Sequence, residues 1–138
     1  MNVYVDTSVV LRRVLRQPNC LDSWGEWDSA FASVLLRIEY LRAVDRLRLE
    51  GYLSDAQRVV LHQELHRIEG AIHRVPLHDE IVAQAARPFG TVLGTLDALH
   101  LATAMTLREQ LGLELVIVTH DRQLARAAQS SGFDVQGA

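Results

Sequence analysis

Apolar and polar positions in this chain follow two periods, one typical of strands and one typical of helices. The β-branched and aromatic run at residues 2–5 predicts a strand that ends at Asp6, and the amphipathic stretch that follows, through Leu15, predicts a helix. The mostly apolar run at residues 113–119 predicts another strand, and residues 122–130 after it have helical spacing. Strand, polar turn and helix therefore follow one another at both ends of the chain.

The middle of the chain alternates in the same way. Its predicted helices are residues 33–50, a helix to about Gly70 with Ser54 as N-cap, one or two turns at residues 79–86, and a helix from Leu96 to about Leu111 with Thr95 as N-cap. Short strands are predicted at residues 30–33 and 71–76. Residues 17–30 are the least regular, and their Trp24 and Trp27 either cover the core or mark a partner surface. The alternation predicts an α/β fold, a three-layer α/β/α sandwich with a mostly parallel central sheet.

Four acidic residues are candidate ligands of a shared metal site. Asp6 and Asp121 each follow a predicted strand, and the carboxyl ends of neighbouring parallel strands meet at one edge of a sheet, where ligands bind. Asp97 lies in the first turn of a predicted helix and points to the same kind of edge. Glu39 is one residue, about 100° of helix, from Ile38 and so lies at the margin of a predicted buried face. Because crowded carboxylates repel one another unless a cation holds them together, the four predict a metal site.

Each acid also has a purely structural explanation. Asp6 and Asp121 suit helix N-caps, and Asp97 suits a first turn, where the helix dipole favours an acid. Glu39 could pair with Arg42 three residues on, a contact that contributes about 0.2–0.5 kcal/mol. The predicted buried face beside Glu39 is an apolar stripe with spacings of three and four residues, and it consists of Val34, Ile38, Leu41, Val44 and Leu47. One by one these explanations are adequate, and only the joint pattern favours a shared site.

Four segments of the chain resemble the signature blocks of a known family. Residues 5–8, 36–43, 95–104 and 118–121 look like the four blocks of PIN-domain ribonucleases, in particular of the VapC-type toxins of bacterial toxin–antitoxin pairs. The blocks fall in the family's order, and the resemblance covers essentially the whole chain. It therefore implies a single PIN domain at residues 1–138.

The resemblance also implies an activity and a set of site residues. The residues that carry over are the acidic quartet Asp6, Glu39, Asp97 and Asp121, with Thr7, Ser8 and Thr119 as polar neighbours that orient ligands or water. Carboxylate oxygens form a hard donor set that selects Mg²⁺ or Mn²⁺ over Zn²⁺ and suits phosphodiester hydrolysis. We expect a metal-dependent endoribonuclease toxin with an RNA substrate, a cognate antitoxin and a homodimeric state. A catalytically inactive PIN-like RNA-binding or interaction module and a purely structural partner protein remain alternatives.

The charges of the chain exclude some functions. All fourteen basic residues are arginine, and the absence of lysine excludes a Walker-type phosphate loop and a Schiff-base enzyme. A haloacid-dehalogenase phosphatase would want a second acid at the position of Ser8. The net charge of −3 is unusual for an RNA-binding protein, yet much of it belongs to the acidic quartet. Arg12, Arg13, Arg37 and Arg42 are the candidate contacts to RNA phosphates, with a solvated helix face as the alternative.

The histidines and the single cysteine leave this picture unchanged. His62 and His66 lack the zinc-protease arrangement, and the lone Cys20 is interpreted as an inert thiol. His100 and His120 adjoin quartet residues, and each either lies near the site or packs in the core. No apolar run approaches the roughly 20 residues of a membrane span, and the N-terminus lacks a signal core, so a soluble, cytoplasmic protein is expected.

Overall fold

Six helices flank a sheet of five parallel strands in the computed structural model, which describes all 138 residues. The strands are β1 (Asn2–Val5), β2 (Ser29–Ser33), β3 (His73–Val75), β4 (Leu115–Val118) and β5 (Asp134–Gln136). The helices are α1 (Thr7–Val14), α2 (Leu35–Leu49), α3 (Asp55–Gly70), α4 (Asp79–Ala85), α5 (Thr95–Leu111) and α6 (Arg122–Ser130). The strand order is β3-β2-β1-β4-β5. No helix combines the length and apolar character needed to cross a membrane.

Each face of the sheet is covered by three helices and has its own apolar core. Side chains alternate along a strand, so Val3 and Val5 of β1 contact one layer while Tyr4 contacts the other. The first core lies between the sheet and helices α1, α2 and α3, and the second between the sheet and α4, α5 and α6. Burial on both faces explains why β1 and β4 are nearly continuous apolar runs. The predicted three-layer α/β/α sandwich with a parallel sheet is confirmed.

The order of the strands reverses at β1, which lies between β2 and β4. β1 and β4 are parallel neighbours with Val5 opposite Val118, and the backbone N–H of Asp6 donates to the carbonyl of Val118 at 3.0 Å. The chain leaves β1 into α1 on one face of the sheet and leaves β4 towards α6 on the other. Such a reversal opens the crevice in which α/β sheets bind ligands. The condition for a shared edge at Asp6 and Asp121 is therefore met.

The buried face of α2 differs from the predicted stripe. Its buried residues are Leu35, Leu36, Tyr40 and Val44. Ile38, predicted to be in the stripe, is 58% exposed, and α2 begins at Leu35 because Ser33 still belongs to β2. Apolar residues in α2 fit more than one set of three- and four-residue spacings. The predicted stripe is therefore right at Val44, which is buried, and at Leu41, which packs against the first core, but wrong at Ile38. Glu39 is still half-buried, because it is one step from the buried Tyr40.

The helix starts and the short strands also differ in part from expectation. Ser54 caps α3 as predicted and forms a capping box with Gln57. Thr95 does not cap α5; it is the first helical residue, and Gly94 is the N-cap, without a side-chain hydrogen bond. β3 and β4 are shorter than predicted, and β5 was not predicted at all. A three-residue strand carries too little alternation to be recognised from its sequence.

Trp24 and Trp27 cover the first core from the loop between α1 and β2. Both side chains pack against that core, and their rings meet edge to face with centroids 5.2 Å apart. The guanidinium of Arg13 lies 5.2 Å from the centroid of the Trp24 ring. Of the two interpretations of these tryptophans, the structure supports the covering role.

Candidate functional site

Asp6 and Asp121 lie after the carboxyl ends of β1 and β4, and both are helix N-caps. Oδ2 of Asp6 accepts from the backbone N–H of Ser8 at 3.4 Å at the start of α1. Oδ1 of Asp121 accepts from the backbone N–H of Leu124 at 2.9 Å at the start of α6. The structural explanation of these two acids is therefore correct, but it uses a single oxygen of each carboxylate. Oδ1 of Asp6 and Oδ2 of Asp121 accept no hydrogen bond from the protein.

Ser8 and Thr119 connect the two strand ends. Both hydroxyls donate to Oδ2 of Asp6, at 2.5 and 2.8 Å respectively. The Thr119 hydroxyl also accepts from the backbone N–H of Asp121 at 3.0 Å, and the Ser8 hydroxyl accepts from the backbone N–H of His120 at 2.9 Å. Thr119 is fully buried, so water competes little for its bonds. The two polar neighbours thus hold the Asp6 carboxylate in one orientation and fix the turn into α6.

Glu39 reaches the same region from α2. Its Oε1 accepts from Oγ1 of Thr7 at 2.9 Å and lies 2.5 Å from Nε2 of His100. Arg42, the partner that the structural explanation gave to Glu39, pairs instead with Asp45 at 3.0 Å. Oε2 of Glu39 accepts no hydrogen bond from the protein. Glu39 is therefore held by residues of other elements around the crevice and not by its own helix.

Asp97 is the quartet member with the clearest electrostatic perturbation. It lies half-buried in the first turn of α5, and its carboxylate accepts no hydrogen bond. Burial raises the pKa of Asp97 to about 6; the charges of Asp121, Asp6 and Glu39 add to this rise and that of His100 opposes it. Asp97 therefore lies close enough to the other three carboxylates to experience their charge.

His100 is buried at the centre of the acidic cluster. It is 1% exposed, its Nδ1 lies 2.8 Å from the Tyr4 hydroxyl, and its Nε2 lies 3.7 Å from Oδ1 of Asp6. Burial lowers the pKa of His100, but the hydrogen bond to Glu39 and the charges of Asp6, Glu39 and Asp97 outweigh burial and raise it above its ordinary value. Burial, with the charge of Asp6 next, raises the pKa of Tyr4 far enough that its hydroxyl keeps its proton.

Tyr4 lies at the candidate site but was not predicted from the sequence. The signal was present in the strand pattern, because Tyr4 and Asp6 are two residues apart and side chains two apart in an extended segment share one face. His100 lies three residues after Asp97, so both project from one face of α5. Strand alternation and helix spacing together place Tyr4 beside His100, although neither alone identifies the contact.

The donor set suits a hard divalent cation. All four acids offer carboxylate oxygens, and Asp6, Glu39 and Asp121 each keep one oxygen without a protein donor. Besides burial, the raised pKa of Asp97 reflects crowded negative charge that a cation would offset. As the side chains stand, however, no group of three or more His, Cys, Asp or Glu residues is arranged to hold a metal ion. Rotation of side chains would be needed to bring three carboxylates to one ion.

The four arginines predicted to contact RNA all have partners within the protein. These partners are Glu69 for Arg37, Asp45 for Arg42, the carbonyl of Asn19 for Arg12 and the Trp24 ring for Arg13. None of the four contacts a quartet carboxylate. The side chains of Arg37 and Arg42 are 54% and 71% exposed, so another anion can reach them.

Two surface clefts lie away from the carboxylates. One of about 400 Å³ lies between α2 and α3 and is lined in part by Arg42, Arg48 and Arg58. The other, of about 450 Å³, lies beside β4 and is lined in part by Arg108 and Phe133. Neither is lined by a quartet residue, so the acidic cluster at the crevice lies apart from both clefts.

Known proteins share the sequence features of this chain along nearly its whole length. The sequence model of one family, described as PIN domain, matches residues 3–130. Among curated proteins, the chain is 27% identical to Ribonuclease VapC47 of Mycobacterium tuberculosis (strain CDC 1551 / Oshkosh), with 95% of this chain and 93% of that protein covered. All four quartet residues lie within the matched range of the family.

Solved structures share the fold. The structure of FitAcB from Neisseria gonorrhoeae is 20% identical, has a TM-score of 0.64 and covers 98% of this chain and 96% of that one. VapBC2 from Rickettsia felis, bound to a DNA fragment from its promoter, is 11% identical with a TM-score of 0.69 and covers 99% and 98%. VapBC-1 from nontypeable Haemophilus influenzae is 13% identical with a TM-score of 0.62 and covers 99% and 97%. At these identities the likeness concerns the fold alone.

Proposed function

The chain belongs to the PIN-domain family, and from that premise we propose that it is a metal-dependent endoribonuclease that acts as the toxin of a toxin–antitoxin pair. One observation carries the proposal: four acids from different parts of the chain meet at the crevice where the strand order reverses. They are Asp6, Glu39, Asp97 and Asp121. The likeness to Ribonuclease VapC47 supports RNA as the substrate. The reaction would be hydrolysis of an RNA phosphodiester bond.

The quartet would hold Mg²⁺ or Mn²⁺, and the bound ion would offset the negative charge of the scissile phosphate and lower the pKa of the attacking water. The chain's contribution is to prepare the ligand oxygens. Ser8 and Thr119 occupy Oδ2 of Asp6, so Oδ1 is the oxygen left for a cation. Because the pKa of Asp97 is about 6, this carboxylate is mostly ionised near neutral pH and able to bind a cation there.

To bind RNA, arginines that now pair with groups of the protein would exchange these partners for phosphates of the RNA backbone. The ion pair of Arg42 with Asp45 is exposed and therefore weak in water, so a phosphate can replace Asp45 as the partner of Arg42. Glu69, the partner of Arg37, also pairs with Arg74, so it keeps one cation when a phosphate binds Arg37. Guanidinium groups also bind phosphate with two parallel hydrogen bonds. Arg12 and Arg13 of α1 would complete a track of four arginines along the RNA backbone, with Arg37 and Arg42. We expect Arg42→Ala to raise KM with little change in kcat and to reduce the salt dependence of RNA binding. An unchanged KM would remove Arg42 from the track.

A cognate antitoxin, a homodimeric state and a cytoplasmic location complete the proposal. The likeness in fold to proteins described as VapBC supports a protein partner. Co-expression with the product of the neighbouring reading frame should give a stable complex with little nuclease activity. Sedimentation of the protein alone should give about twice the chain mass of 15.5 kDa. A monomer mass, or full activity in the complex, would contradict these parts of the proposal.

An RNA cleavage assay with and without divalent metal tests the proposed activity. Wild-type protein should cleave with Mg²⁺ or Mn²⁺ and not with a chelator. Asp6→Asn should lose at least about a hundredfold in rate, because an amide replaces a ligand charge at nearly constant volume. The matched control is Asp79→Asn, an exposed first-turn acid of α4 that should keep full activity. Cleavage in chelator, or full activity of Asp6→Asn, would reject the metal site. Binding of RNA without cleavage would support the inactive PIN-like module instead.

A further inference from the structure

One buried histidine links three elements around the acidic cluster. His100 on α5 contacts the Tyr4 hydroxyl of β1 through Nδ1, at 2.8 Å, and Oε1 of Glu39 on α2 through Nε2, at 2.5 Å. The distance from Nε2 to Oδ1 of Asp6 is 3.7 Å. The imidazole therefore stands between two quartet carboxylates, and both of its nitrogens have partners.

The chemistry of the contact with Glu39 fixes which of its atoms donates. An ionised Glu39 carboxylate can only accept, so Nε2 of His100 carries the proton whether the ring is neutral or cationic. In the neutral ring, Nδ1 then accepts from the Tyr4 hydroxyl. Tyr4 is fully buried, and so is His100, so neither side chain can turn to water without breaking the link.

Both donors to Glu39 reach the same oxygen. Oε1 accepts from Thr7 and from His100, and Oε2 accepts from neither. Glu39 enters the site from α2, which packs on the face of the sheet opposite to α5, so its long side chain needs a fixed point to be held near Asp97. His100 supplies that point, since it lies one helical turn from Asp97.

We propose that His100, held by Tyr4, is a positioning residue that fixes the Glu39 carboxylate through Oε1 and leaves Oε2 for the cation. This inference rests on the proposed metal site. A histidine that only fills space in the core would be replaced equally well by Asn or by Gln. The proposed role instead requires a donor that reaches Oε1 of Glu39. The Nε2–H also lies between the charges of Glu39 and Asp6 and offsets their repulsion.

Two amide variants of different length test the proposal. The amide nitrogen of Gln reaches about as far from Cα as Nε2 of His, whereas that of Asn reaches about as far as Nδ1, so only His100→Gln keeps a donor for Glu39. We expect His100→Asn to lower Mn²⁺ affinity, measured by calorimetry, and kcat by about 10–100-fold, with KM for RNA little changed. His100→Gln should recover most of that loss. Melting in chelator should be similar for both variants. His62→Asn, exposed on α3, is the matched control.

A double-mutant cycle shows whether His100 acts through Glu39. In a Glu39→Gln background, His100→Asn should cause little further loss of Mn²⁺ affinity, whereas two independent effects would multiply. Multiplying effects, or equal affinities of the Asn and Gln variants, would overturn the proposal. If His100→Asn does not fold, Tyr4→Phe replaces it: a several-fold weaker Mn²⁺ affinity is expected, and unchanged affinity would overturn the positioning role. If the wild-type protein binds Mn²⁺ but does not cleave RNA, the nuclease function is wrong. The Mn²⁺ affinities of His100→Asn and His100→Gln then still decide the role of His100. Wild-type protein that does not bind Mn²⁺ would overturn both.

Discussion

Neutralising Asp97 should stabilise the metal-free protein while it removes the activity. The native state raises the pKa of Asp97 to about 6 from an ordinary 3.8, first through burial and then through the charges of Asp121 and Asp6. The folded protein therefore binds this proton more tightly than the unfolded chain does. The associated stability is fully present below about pH 3.8 and is lost as the pH rises through about 6. Asp97→Asn removes the charge that causes the loss.

The size of the effect follows from the shift in pKa. A change from 3.8 to about 6 corresponds to at most about 3 kcal/mol, and solvent screening of a half-buried group reduces this to roughly 1–2 kcal/mol. Loss of the favourable helix-dipole contact of a first-turn acid opposes the gain by about 0.3–1 kcal/mol. For a chain of 138 residues, about 1 kcal/mol shifts the melting temperature by roughly 3 °C. A net rise of a few degrees is therefore expected for Asp97→Asn.

The assay is thermal or urea unfolding in chelator at two pH values. At about pH 7.5, Asp97→Asn should be more stable than wild type, and at about pH 3 the difference should vanish because the carboxyl is protonated in both states. Asp79→Asn measures the dipole term alone, since Asp79 is an exposed first-turn acid of α4. Two results would refute this prediction. In one, Asp97→Asn loses more stability relative to wild type at about pH 7.5 than Asp79→Asn does. In the other, Asp97→Asn gains as much stability at about pH 3 as at about pH 7.5.

Three further outcomes follow from the same site. Millimolar Mn²⁺ should raise the melting temperature of wild type, because a hundredfold excess over Kd adds about 2.7 kcal/mol to the free energy of unfolding. The gain should be smaller in Asp6→Asn and absent with Na⁺ at matched ionic strength, and identical melting curves in Mn²⁺ and in chelator would contradict this. Asp121→Asn should keep the N-cap of α6, whereas Asp121→Ala should lower the free energy of unfolding by about 1 kcal/mol, and both variants should lose RNA cleavage. Equal stability of the two variants would show that the hydrogen bond to Leu124 contributes little. Mn²⁺ affinity in calorimetry should fall about tenfold per pH unit below about pH 6, because the cation must then displace the Asp97 proton, and a flat profile from about pH 7 to 5 would show that Asp97 is not a ligand.

Much of the fold could be predicted because several segments satisfy local rules without ambiguity. The strand at Asn2–Val5 and the helix at Arg122–Ser130 have the bounds that the pattern gives, and Ser54 caps α3 as predicted. The errors occur where local signals compete or are short. Ile38 fits the spacing of α2 but is exposed, and Thr95 is a good capping residue type but lies one residue inside α5.

The candidate site could be predicted only as far as its acids. The strand ends placed Asp6 and Asp121 together, the helix patterns added Asp97 and Glu39 as candidates, and the family resemblance implied all four as one quartet. The partners of these carboxylates depend on contacts between distant parts of the chain, such as the one between Tyr4 and His100 across 96 positions. The partners of Arg37 and Arg42 were not predicted either: Arg37 pairs with Glu69, 32 positions along the chain, and Arg42 pairs with Asp45, three positions on.

The rate of RNA cleavage by Asp97→Asn, compared with wild type at saturating Mn²⁺, tests the central claim most directly. This variant is expected to be at least as well folded as wild type, so a lost rate cannot be attributed to lost structure. If the four carboxylates form one metal site for RNA hydrolysis, the rate should fall at least about a hundredfold while the melting temperature in chelator rises. An undiminished rate in the folded variant would contradict the claim, because a site for this cation cannot lose the charge of Asp97 without consequence.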